Sequence, residues 1–176
     1  MDANVIIASA LLALGGPVPE IQPAMAGDPL VTATAQAEVD SCSGVMTRMF
    51  AWWNVQMADG IPFEQAGFAR FFTDDAVLRI DGGVVAEGLP ALLTHFQRIQ
   101  NSGAQVEIAL PFVECSEAGQ REYTMHVIRS RRDGVPRCLL AAGHADLRDG
   151  LITEISLVRT QIEPGSSPVA DLCWRK

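Results

Sequence analysis

The chain has 176 residues, 13 Lys+Arg against 21 Asp+Glu for a formal net charge of −8, and 48% apolar residues. That length builds one domain with its own core and requires no metal or disulfide staple. The acidic balance argues against nucleic acid, which needs clustered cations, and 12 of the 13 cations are Arg, leaving only Lys176 for Schiff-base or phosphate-loop chemistry.

Residues 5–14, VIIASALLAL, form an apolar stretch too short to span a bilayer, and no run of 18 apolar residues occurs elsewhere. Prolines 17, 19, 23 and 29 follow, with Ala24-Met25-Ala26 as a small-x-small cleavage pattern. The first Arg or Lys is Arg48, so the charged start of a secretory signal is missing. Residues 1–37 are therefore read as an appended arm and the chain as cytoplasmic. A secreted or periplasmic protein is the alternative if residues 1–26 act as a signal. Cys42, Cys115, Cys138 and Cys173 show no C-x-x-C spacing. Four small buried thiols are the default reading, and disulfides are the alternative in an oxidising compartment.

In residues 39–57 the apolar positions 39, 42, 46, 49, 50, 53 and 57 mark one face of a helix. Asp59-Gly60 ends it, and Pro62 opens a second helix to about residue 72. Thr73-Asp74-Asp75 turns into a short strand over 76–80, Asp81-Gly82-Gly83 ends that strand, and 84–87 form another. A third helix covers 89–99, stopped by Asn101-Ser102-Gly103. The period then becomes two, with strands over 105–115, 121–132, 136–148 and 151–161. Asp133-Gly134 and Asp149-Gly150 carry hairpin-turn chemistry. Helices gathered on one side of an antiparallel sheet make an α+β domain. Residues 163–176 read as a loosely attached tail.

The segments Phe71-Phe72-Thr73-Asp74-Asp75-Ala76-Val77, Asp81-Gly82-Gly83, Glu87-Gly88, His95-Phe96 and Asp149-Gly150-Leu151-Ile152 resemble the SnoaL-like proteins. These belong to the nuclear-transport-factor-2-like superfamily, with ketosteroid isomerases, scytalone dehydratases and polyketide cyclases. The resemblance covers residues 38–162. It implies an α+β roll, a curved sheet wrapped around three helices to leave a conical pocket, and a homodimer.

Strand parity selects the residues that face such a pocket. A two-residue turn at Asp133-Gly134 pairs residues whose numbers sum to 267, and opposed residues share a face. One face then carries Thr124, His126 and Ile128 with Leu139, Ala141, Gly143, Ala145 and Leu147. The other carries Tyr123, Met125 and Val127 with Leu140, Ala142, His144 and Asp146. The small apolar row suits the concave side, and the ketosteroid isomerase resemblance selects the same face. His126 is thus expected inside and His144 outside. No two of the three histidines share a helical i, i+4 spacing or a sheet face, which argues against a metal. His95, beside Phe96, reads as a helix-end histidine.

A histidine in a small apolar pocket can move a proton near neutral pH. It can equally be a core histidine bonded to an acceptor. The resemblance places Asp81 near the catalytic Asp of ketosteroid isomerases, one residue late, while composition reads it as an Asp-Gly turn. The isomerase's oxyanion donors do not carry over: the only tyrosine is Tyr123, and Gly143 stands where the protonated Asp would be. The leading expectation is a cofactor-free isomerase, dehydratase or cyclase acting on a hydrophobic small molecule. His126 and Asp81 would be catalytic, with Trp53, Thr124, Ile128, Ala141, Gly143 and Glu154 at the substrate. A non-enzymatic ligand-binding or protein-interaction domain is the competing expectation. Arg129, Arg131, Arg132 and Arg137 bracket the Asp133 hairpin, as a solvated tip or a receptor for an anionic group.

Overall fold

Residues 42–163 and 168–174 are described by a computed structural model. The N-terminal arm, with its apolar stretch, four prolines and cleavage pattern, lies outside the described residues. Helix α1 (Val45–Asp59) buries Val45, Met46, Met49, Phe50 and Trp53. It begins later than the periodicity predicts, and Gly60, in the left-handed region at φ 66°, ends it by donating to Gln56 O. Helix α2 is a single turn (Gln65–Phe68), far shorter than expected. The chain extends again at Phe72, because β1 (Phe72–Ile80) takes in the Thr73-Asp74-Asp75 stretch that the sequence reads as a turn. Strand β2 (Gly83–Glu87) and helix α3 (Leu89–Gln100) match the expected elements, with Leu89, Leu92 and Phe96 buried.

The strand expected over 105–115 is two strands, β3 (Gln105–Ile108) and β4 (Glu114–Ala118). The break holds Pro111, which has no N–H to give a ladder. Both pieces pair antiparallel with β5 (Arg121–Arg132). Strands β6 (Val135–Arg148) and β7 (Leu151–Gln161) complete the meander. The sheet order is β2-β1-β7-β6-β5-β3, with β4 also on β5. Strand β1 joins β7 in parallel, a pairing the hairpin pattern does not reveal.

The β5–β6 register is the predicted one: His126 faces Ala141, Thr124 faces Gly143, and Arg132 faces Val135. Asp133 and Gly134 hold the turn at φ 51° and 77°, the doubly left-handed geometry of a type I′ hairpin. The helices pack on the face carrying Ala145, Ile152, Ile155 and Leu157, and aromatic rings from α1, α2, α3 and β1 fill the space between. Phe63, Phe68, Phe72 and Phe96 form a contiguous ring cluster with Trp52 and Trp53. This is where a conical pocket was expected.

A second small core covers the opposite face, built from Ala109, Val127, Cys138 and Ile162 with Val169, Ala170 and Cys173. Residues 168–174 are therefore attached, contrary to the loose tail expected. Cys173 is disulfide-bonded to Cys138, Leu172 O accepts from Arg129 Nη1 at 3.1 Å, and the Trp174 ring lies under Arg129 and Arg131. Cys42 and Cys115 form a second disulfide, with Cα atoms 6.1 Å apart. The default reading of four separate thiols is thereby corrected: strand β4 brings Cys115 to the start of α1.

Candidate functional site

Along the inner face of β5, alternate residues Glu122, Thr124 and His126 make a polar file beneath α1, and all three are buried. At its outer end the Glu122 carboxylate serves as the N-terminal cap of α1. Val45 N donates to Oε1 at 2.7 Å and Met46 N donates to Oε2 at 2.9 Å. A carboxylate here offsets the positive end of the helix dipole and satisfies two of its orphan N–H groups. At the inner end, His126 is 0% exposed and its ring sits between Phe50 and Phe112, with centroids 5.2 and 5.3 Å away. Its Nδ1 is 3.2 Å from Thr124 Oγ1, and Nε2 has no hydrogen-bond partner. Burial among apolar rings penalises the imidazolium and pushes the His126 pKa down to about 4. The ring is therefore neutral at pH 7.

Beside this file a cavity of about 480 Å³ opens between the start of α1 and strands β4 and β5. Thr47, Phe112, Cys115, Ser116, Glu122 and Thr124 are in its wall. Thr47 Oγ1 is buried without a partner. The lining is largely polar, unlike the apolar pocket expected, because Thr47 of α1 and Ser116, Glu122 and Thr124 of the sheet contribute to it.

The structure does not bring Asp81 and His126 together. Asp81 caps the β1–β2 turn at φ 53°. Its Oδ1 accepts from Arg159 N at 2.9 Å and its Oδ2 from Arg159 Nη2 at 2.8 Å. These bonds hold its carboxyl below the usual range. Arg159 faces Ala141, and Ala141 faces His126, so two strand spacings, roughly 10 Å, intervene.

Other expected contacts disperse similarly. Trp53 is buried and stacked on Phe63, Ile128 packs against the main core, and Ala141 backs His126. Gly143 lies where an added Cβ would collide with the Ser156 carbonyl oxygen. Glu154 was expected on the concave face and is on the opposite one. A bulge between Asp146 and Leu147 changes the register so that Glu154 faces Asp146, and its carboxylate pairs with Arg79. A one-residue slip moves every following side chain to the other face. His144 is on the outer face with Tyr123, as parity requires. The expectation overlooked Glu122, although its even number puts it on the same face as Thr124 and His126.

No family model and no curated protein matches this sequence. Solved structures share its architecture. An LEH-like epoxide hydrolase from M. tuberculosis has a TM-score of 0.53 at 16% identity, covering 66% of this chain and 82% of that one. An NTF2-like protein from Anabaena variabilis has a TM-score of 0.53 at 16% identity, with 69% and 89% covered. A protein of ketosteroid isomerase-like fold from Catenulispora acidiphila, solved with trimethylamine, has a TM-score of 0.50 at 15% identity, with 66% and 83% covered. At such identities the likeness is one of fold. The chain has the α+β NTF2-like fold, and its chemistry must be argued from its own residues.

Proposed function

We propose that this NTF2-like domain binds a small polar or cationic molecule in the cavity beside α1, without catalysing a reaction on it. The observation that carries this reading is the state of the two polar groups expected to do chemistry. His126 is sealed between Phe50 and Phe112 at 0% exposure, and Asp81 is engaged by Arg159 on a distant turn. General acid/base work requires the group within hydrogen-bond reach of the reacting atom. Binding needs only the wall. The unpartnered Thr47 hydroxyl and the Glu117 and Glu122 carboxylates favour a ligand with N–H or O–H donors. Trimethylamine in a protein of this fold is a precedent for a small amine.

Two disulfides support an oxidising compartment over the cytoplasm expected from the sequence. Tyr123 and Val158, 41% and 62% exposed on the outer face, support the homodimer, which sedimentation of the oxidised chain tests. Neither reading of the cavity calls on a cofactor.

Titration calorimetry with a series of methylated ammonium salts tests the binding proposal. Saturable binding that is lost in Thr47→Val and kept in His126→Asn is expected. Binding that ignores Thr47→Val would overturn it.

The enzyme reading, a cofactor-free isomerase, dehydratase or cyclase, retains one favourable feature. Thr124 stands at the cavity wall with a neutral imidazole behind it, and the imidazole Nε2 is unpartnered. A turnover abolished by both Thr124→Val and His126→Asn, with folding intact, would establish that reading instead.

A further inference from the structure

The four arginines around the Asp133 hairpin are divided by the sheet between its two faces. Arg129 and Arg131 alternate onto the outer face, against Trp174. Arg132 and Arg137 fall on the inner face, where they meet the end of α3. There a cleft of about 630 Å³ is lined by Arg98, Arg132 and Arg137, with Ile99, Val106 and Val135 as its apolar surface. Arg132 Nη2 donates to Ser102 O at 2.9 Å, which fixes that guanidinium as part of the wall. The other cleft residue of either charge is Asp133, so the lining carries three positive charges against one negative in a chain whose net charge is −8.

Five of the eight other arginines among the described residues, Arg79, Arg121, Arg129, Arg148 and Arg159, are each within ion-pair distance of a carboxylate. Arg48 donates to Ser43 O, and Arg70 lies over the Phe71 ring. Arg98, Arg132 and Arg137 have no carboxylate partner at that distance among the described residues, so three such guanidinium groups in one cleft stand out. The last-turn position of Arg98 suits the negative end of α3. Nothing comparable accounts for Arg137.

We propose that this cleft is a binding site for an organic anion, a carboxylate or sulfate group carried on an apolar body. The guanidinium groups supply charge and planar donor pairs that match an oxyanion. Ile99, Val106 and Val135 supply the surface for the apolar part, and the volume is that of an ordinary small-molecule site. The site is separate from the cavity beside α1, and no lining residue is common to the two.

The test is calorimetric titration of the oxidised full chain with decyl sulfate and decanoate below their micellar concentrations. Decyltrimethylammonium, 1-decanol and inorganic sulfate are the controls. One site per chain is expected, at least ten-fold tighter for the two amphiphilic anions than for any control, and weakened by added salt. Arg98→Ala/Arg137→Ala should weaken it at least ten-fold, Arg98→Lys/Arg137→Lys should retain most of it, and Thr47→Val should leave it unchanged. Equal affinity for the cationic or neutral decyl compounds overturns the proposal, as does inorganic sulfate binding as tightly as decyl sulfate. Undiminished binding to a folded double-alanine variant does the same. If that variant does not fold, the ligand series on the unaltered chain decides.

Discussion

Gly44 and Glu122 are fitted to each other across the start of α1. A Cβ at residue 44 would run into the Glu122 carboxylate, which accepts from Val45 N and Met46 N. Only a residue without a side chain lets a strand carboxylate reach the helix end so closely. Glu122→Ala should cost about 2 kcal/mol, the scale of a lost cap with charge-assisted bonds. Gly44→Ala should cost a similar amount by displacing the same carboxylate. Because both changes break one interaction, the double variant should be less destabilised than the sum. Urea midpoints of the three variants check this, and full additivity would count against the fit.

His126 makes stability fall in acid. Its folded pKa is near 4, below the ordinary histidine value of about 6.5, so the native state binds fewer protons than the unfolded chain between those values. The native advantage is complete above about pH 6.5 and declines as pH falls toward 4. This gap corresponds to about 3 kcal/mol. His126→Asn should be less stable at pH 7, by about 2 kcal/mol, because the ring no longer packs against Phe50 and Phe112. It should nevertheless lose less than the parent between pH 6.5 and 4. Denaturation curves at a series of pH values read this directly. Parallel acid limbs would show that His126 is not the titrating group.

The Cys138–Cys173 bridge closes 35 residues and holds residues 168–174 on the outer face, where they help bury Val127. Cys138→Ser/Cys173→Ser should lower stability by about 2–4 kcal/mol, the range for native disulfides. It should also open the segment around Leu172 and Trp174 to proteolysis before the sheet is cut. Protection of that segment from proteolysis that survives reduction would indicate that the Arg129 and Arg131 contacts to Trp174 hold the tail unaided.

The sequence made the fold legible where hydrophobic periodicity and turn chemistry agree. Asp133-Gly134 specifies both its hairpin and the 267 sum that puts His126 opposite Ala141. The same logic misplaces Glu154. Extending the Asp149-Gly150 turn without interruption pairs residue 154 with Ala145 on the inner face. Thr153 is the extra residue that reverses this, its hydroxyl donating to Asp146 O at 3.0 Å. A bulge of this kind leaves no composition signal when the residue is an ordinary strand former. The polar site was partly readable, since parity alone puts Glu122 in line with Thr124 and His126. That α1 would begin at Glu122 was not readable, because capping across 77 residues of sequence is a tertiary fact.

Gly143 separates a pocket residue from a packing residue. It was expected at the substrate, opposite Thr124. In the sheet it faces Thr124 on one side and Leu157 on the other, and a Cβ there would overlap the backbone oxygen of Ser156. A backbone carbonyl in a central strand cannot swing aside as a flexible side chain would. Overpacking typically costs about 1–3 kcal/mol, and a clash with backbone belongs at or above the top of that range. Against a total domain stability of about 5–15 kcal/mol, Gly143→Ala should lower the melting temperature sharply or abolish soluble expression. Were Gly143 simply a floor for ligand, the added methyl would alter affinity and leave melting unchanged. Comparing the melting temperature with ammonium-salt affinity in the same variant distinguishes the two roles, and a stable variant with altered affinity would return Gly143 to the site.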